Sequence, residues 1–136
     1  MSFLDTCRPN DYIAAQKWLV KELGLRSVRQ NDFALHNRDG DRALEFSKLY
    51  LRSTGNLKGW ARWQFADLVI ESLGDLFEAD ESIGELHSQL VDEVLADEVV
   101  REQLASMMKN VASMPAQYRN EPEFNFWRYV ENHFAG

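Results

Sequence analysis

Along most of this chain the apolar residues recur at intervals of three and four, and Gly, Pro, Asn or Asp interrupts the recurrence before it runs long. An α-helix turns once per 3.6 residues, so this spacing gathers the apolar residues of each segment on one helical face. Tyr12, Ala15, Leu19 and Leu23 form the first such stripe. Asn10 or Asp11 stands before it as a side-chain cap and Gly24 after it as a stop, which predicts a helix over 11–23. Asp41 is expected to cap a short helix reaching Arg52 and carrying Leu44, Phe46, Leu49 and Leu51. Thr54-Gly55-Asn56 breaks that helix, and Asn56 can cap the next, with Leu57, Ala61, Phe65, Leu68, Leu73 and Leu76 on one face. Gly59 weakens its start by about 1 kcal/mol relative to Ala.

The second half continues the pattern. Ser82-Ile83-Gly84-Glu85 has the form of a capping box, in which Ser and Glu each satisfy the other's backbone N–H. Ile83, Leu86, Leu90 and Val94 follow as one stripe. Asp97 is placed to start another helix with Val100, Leu104, Met107, Met108 and Val111, and Met114-Pro115 ends it because the residue before proline disfavours the α region. A last helix is expected from Pro122, presenting Phe124, Trp127, Val130 and Phe134. Residues 25–40 fit two patterns: a helical stripe of Leu25, Val28 and Leu35, or a hairpin turning at Asn31-Asp32. The expected fold is therefore all-α, a compact single-domain bundle of five or six short helices over 1–136, with a small hairpin near 25–37 as the alternative for that stretch.

A chain of 136 residues buries about 65–70% of its unfolded surface, enough for a core without a disulfide or a structural metal. The single cysteine, Cys7, has no internal partner. The longest apolar run is Tyr12 to Ala15, far short of the ~20 residues of a membrane span. Met1-Ser2-Phe3-Leu4-Asp5 has neither the basic nor the apolar region of a secretory signal. The expectation is a cytoplasmic protein with no membrane association.

The net charge of −7 conceals a division. Residues 1–62 hold eleven Lys/Arg against seven Asp/Glu, whereas residues 63–136 hold four against fifteen. From Asp67 to Glu102 there are twelve acids and one base, Arg101. Asp67, Glu71 and Asp75 are spaced four apart and form a row on one helical face, where each like-charged pair costs a few tenths of a kcal/mol. Solvent, the basic half of the chain or a basic partner must relieve that row.

Motifs for chemistry are sparse. Cys7 has no base or orienting group at a meaningful spacing from His36, His87 or His133, so it reads as an ordinary thiol. Glu85-x-His87 and Glu131-x-His133 hold their side chains about 200° apart on a helix and cannot chelate one ion. Asn37, Asp39 and Asp41 alternate like the start of a calcium loop, but Gly40 falls at the fourth position and Lys48 stands where the closing Glu belongs. A capped turn explains them. No glycine-rich phosphate loop is present, no cofactor or metal is expected, and no catalytic residue is assigned.

Aromatic residues cluster twice around an arginine, in Trp60-Ala61-Arg62-Trp63-Gln64-Phe65 and Phe124-Asn125-Phe126-Trp127-Arg128-Tyr129. One stripe cannot bury all of either set, so each is a helix packed on several sides or an exposed hot-spot patch. The expected function is an acidic protein–protein interaction module, of the inhibitor, antitoxin or immunity type, masking a basic site on its target. Asp67, Glu71 and Asp75 would be the anchors and Trp60 or Trp63 the desolvated contact. Two alternatives are a nucleic-acid-associated protein using Arg26, Arg29, Arg38 and Arg42, and a homo-oligomeric assembly subunit. A small enzyme using a carboxylate or Cys7 has no signature in its support.

Overall fold

The computed structural model describes residues 11–26, 33–53 and 59–135. Within them run eight α-helices: α1 (Asp11–Leu23), α2 (Phe33–Asn37), α3 (Ala43–Ser53), α4 (Gly59–Ala79), α5 (Ile83–Leu86), α6 (Ser88–Ala96), α7 (Glu98–Ala112) and α8 (Asn125–Ala135). Short 3-10 turns lie at Gly40–Arg42, Tyr118–Asn120 and Pro122–Phe124. No strand occurs among the described residues, and the compact all-α fold expected from the spacing is the one observed.

The organising element is α4. It packs against α1, α2, α3, α7 and α8 and against the turns before α3 and α8. Its buried side includes Phe65, Leu68, Val69, Ile70, Leu73 and Phe77. These join Leu19 of α1, Phe46 and Tyr50 of α3, Val91 and Val94 of α6, Leu104 of α7 and Phe126 and Val130 of α8 in one apolar cluster. Such a helix resists a simple amphipathic reading because it is covered from several directions.

The helix ends explain the boundaries. Gly24 has φ +66° and closes α1, with Leu25 N–H donating to Val20 O at 3.0 Å, the six-residue bond of a left-handed glycine stop. Asp97 begins α7 from an extended backbone, and its carboxylate accepts from Val99 and Val100 N–H at 3.2 and 3.1 Å.

Three expectations need correction. The hairpin near 25–37 does not form: its second arm, 33–37, is helical, and 27–32 lies outside the described residues. Buried Asn37 favours the helix by bonding three ways. Its amide donates to Phe33 O and Arg26 O at 3.1 and 3.0 Å, and its Oδ1 accepts from Arg26 N–H at 2.7 Å. The capping box at Ser82 is not made either. Ser82 Oγ donates to Asp80 Oδ1 at 2.6 Å, so the hydroxyl is turned back into the preceding turn. Finally, the stripe from Ile83 to Val94 is broken at His87, which leaves Leu86 68% exposed. The break lets Gly84 sit under the Tyr129 ring while Val91, Val94 and Leu95 reach the core.

Candidate functional site

Trp63, Asp67, Glu71 and Asp75 stand four residues apart on α4 and span about 120° of arc. They form the side of this helix that the other helices leave incompletely covered: Trp63 is 39% exposed and the three acids are half-buried. Trp60 belongs to α4 by its backbone and falls within the same arc, with its side chain outside the described residues. The backbone at the start of this face is tied to α7, where Gln103 Nε2 donates to Trp63 O at 2.7 Å.

One cation crosses the row. Arg38 reaches Asp75 at 3.5 Å and Glu71 at 3.9 Å. Its position follows from the turn that carries it. Asp39 N–H donates to the buried Ser72 Oγ at 3.0 Å, and Gly40 lies so close to α4 that a Cβ there would stand 3.1 Å from Leu76 N. The absent side chain thus lets the turn settle onto α4 and hold Arg38 over the two lower acids. The pairing is half-exposed and contributes little stability. It matches part of the basic half of the chain to part of the acidic half.

Asp67 is left out of this match. Burial, reinforced by the charge of Glu71, raises its carboxyl to about pKa 6. No cation lies within ion-pair range of it among the described residues. Glu71 is also raised by burial, with Arg38 opposing and Asp75 adding to the effect. Among the described residues the row therefore sets three partly buried carboxylates against one arginine.

Two polar clusters lie elsewhere. Tyr50 and Arg62 both donate to Asp97, at 2.6 and 2.7 Å, and this joins α3, α4 and the start of α7. Burial and the Asp97 hydrogen bond raise the Tyr50 hydroxyl above its ordinary value, which keeps it a donor. Tyr129 donates to Asp92 at 2.6 Å, and His133 Nδ1 lies 3.4 Å from the same carboxylate oxygen. Burial and Asp92 push Tyr129 up to about 12, the opposite of what a tyrosine nucleophile or base needs. Neither cluster could be read from local spacing, because the partners are 35 to 47 residues apart.

His87 is exposed, and Cys7 lies outside the described residues. Among the described residues no three His, Cys, Asp or Glu side chains converge as a metal site would require. No described helix is long and apolar enough to cross a membrane. In the C-terminal aromatic cluster, Phe124 and Phe126 are buried and Trp127 and Tyr129 half-buried, so that cluster is chiefly core. Arg38 and Arg42 are both engaged within the chain, Arg42 with Glu45 at 2.7 Å and with Leu23 O at 2.9 Å. Comparisons with protein-family models, curated proteins and solved structures find no match to this chain.

Proposed function

We propose that the protein is an acidic interaction module that uses the open side of α4 to receive a basic surface of another protein, in the manner of an inhibitor or immunity protein. The observation that carries this reading is Asp67: a half-buried carboxylate with no cation among the described residues, beside two more acids that share one described arginine. A Lys or Arg from a partner would supply the missing charge, and complementary charge of this kind raises association rate and specificity. Trp63, at the end of the row, offers the aromatic contact typical of binding hot spots.

The test is capture from a native lysate with tagged wild-type protein and, in parallel, a D67N/E71Q/D75N variant, each eluted with a salt gradient. The reading requires one stoichiometric basic protein held by the wild type and lost from the variant. Equal capture by both removes the α4 row as the interface.

Arg26, Arg38 and Arg42 line a recess of about 300 Å³, which favours a second reading, a nucleic-acid contact through the N-terminal half. Nuclease-sensitive recovery in the same capture, with a steep loss of binding as salt rises, would move the assignment to that recess. Recovery of the protein alone, at a mass that grows with concentration, would instead identify a homo-oligomer.

A further inference from the structure

A cavity of about 190 Å³ opens between the Tyr118–Asn120 turn and α8. Its walls include Arg119, Arg128, Trp127, Phe124 and Glu131. Two cations and one acid give the lining an excess of positive charge, on a chain of net charge −7.

The two arginines are in different states. Arg128 is fixed. Its Nη1 donates to Arg119 O and, at 3.2 Å, to Glu121 O, while its Nη2 donates to Asn125 Oδ1. Arg119 is held less completely. Among the described residues its buried Nε has no hydrogen-bond partner, and its Nη1 makes only a long ion pair with Glu131, at 3.9 Å. A buried donor left unmade is costly, so the guanidinium gains from any acceptor that lets it turn into the cavity. A planar fork of N–H donors is matched best by a carboxylate or a phosphate, which can take two bonds at once. Phe124 and the Trp127 indole supply an apolar wall for whatever carries that group. The volume lies below the range of drug-sized pockets, so it suits a small anion or the end group of a longer ligand.

We propose that this cavity binds a small anionic group, a carboxylate or a phosphate ester, with Arg119 as the contacting cation and Trp127 as the apolar wall. Arg128 acts as a rigid support, since its donors already hold backbone carbonyls. Glu131 competes with the ligand for Arg119 and so lowers the affinity of the site. The site shares no residue with the α4 row and stands or falls independently of it.

Inorganic phosphate, phenyl phosphate and benzoate, each titrated to about millimolar concentration, are the probes. The readout is the Arg119 Nε–H and Trp127 indole N–H resonances in ¹H–¹⁵N spectra, the latter assigned with W127F. Both resonances are expected to move with at least one probe. R119Q should weaken binding about tenfold or more, and E131Q should strengthen it. Tighter binding of phenyl phosphate than of inorganic phosphate would mark an end group on an apolar body, and equal binding a free anion. The proposal is overturned if neither resonance moves, or if the shifts survive in R119Q. The backbone carbonyl of Arg119 remains available to Arg128 in R119Q, and E131Q gives a second reading of the same site in a chain that keeps Arg119.

Discussion

The hydroxyl of Tyr50, in the middle of α3, donates to Oδ2 of Asp97 at 2.6 Å, and that same oxygen caps α7. Arg62 of α4 takes the other carboxylate oxygen at 2.7 Å. One carboxylate thus serves three helices, and its removal has three costs at once. Asp97→Ala should destabilise the protein by about 3 kcal/mol, through the lost cap and through two partners left unpaired in a nearly dry site. Asp97→Asn keeps a competent cap and should cost about half as much. Tyr50→Phe should cost about 1 kcal/mol, as for one hydrogen bond. Urea unfolding of the three variants checks the order, and an Asp97→Ala midpoint equal to wild type would refute the account.

Stability should pass through a maximum in mildly acidic solution. Asp67 is raised from its ordinary value of 3.8 to about 6, so the folded state binds its proton more tightly than the unfolded chain does. Its penalty is absent below about pH 4, grows as pH rises, and is complete above about pH 6. Asp97 works in the other direction. Burial alone would raise it, but the bonds from Tyr50, Val100 N–H and Arg62 prevail and hold it below the usual carboxylate range. Its contribution is complete above its ordinary value and is lost as pH falls through the lower folded value. Asp67→Asn should therefore stabilise the protein by about 1–2 kcal/mol at pH 8 and leave it unchanged near pH 4. Thermal melts across this range decide it, and a constant difference between the two proteins would contradict the assignment.

Gly84 is a packing requirement. A Cβ on it would lie 2.5 Å from the Tyr129 ring, which Asp92 and the Phe77 ring hold in place. Alanine normally improves a helical glycine by about 1 kcal/mol, yet here overpacking should win and Gly84→Ala should destabilise by about 1–2 kcal/mol. Tyr129→Ala in the same chain should make the alanine at 84 neutral or favourable. A Gly84→Ala protein as stable as wild type would mean that the ring moves freely.

Arg38→Ala separates stability from recognition. The ion pairs it removes are half-exposed, so the loss should stay below about 1 kcal/mol. Binding to a basic partner should increase, because two carboxylates lose their internal competitor. Measured affinities of Arg38→Ala and wild type for the captured partner give the comparison, and weaker binding by the variant would place Arg38 in the interface as a contact of its own.

What the sequence disclosed and what it withheld divide along contact range. Gly24 as a stop, Asp97 as a start and the apolar stripe of α7 are local signals, and each appears at its expected place, as do Leu19 and Leu23 on the buried side of α1. The Ser82 capping box failed because Asp80, two residues earlier, competes for the same hydroxyl. Leu86 kept its helical spacing yet lost its burial, because tertiary packing of Gly84 and Val91 bends the chain between them. The row at Asp67, Glu71 and Asp75 was legible as a row. Its partial burial and the arrival of Arg38 depend on a turn settling onto α4 through Gly40 and Ser72, which no spacing encodes. The orphaned Arg119 donor left no trace in the sequence, since it is defined by what fails to reach it.

Because α4 receives helices from both ends of the chain, the molecule has very unequal tolerance for being cut. A nick within 113–117, where the residues are exposed, leaves α1 through α7 on one fragment and detaches α8 with the two 3-10 turns that precede it. The smaller piece carries Phe126 and Val130, and its Asn125 side chain reaches Phe77 O at 2.9 Å, so it has both an apolar face and a polar latch with which to find its place again. Co-expressed fragments 1–115 and 116–136 should reconstitute a folded complex. A division within 59–79 splits the surface on which six other described helices dock, and its two pieces should not reassemble. Recovery of a folded complex from a cut near Leu68, and not from the cut near Pro115, would show that the chain is held together from somewhere other than its centre.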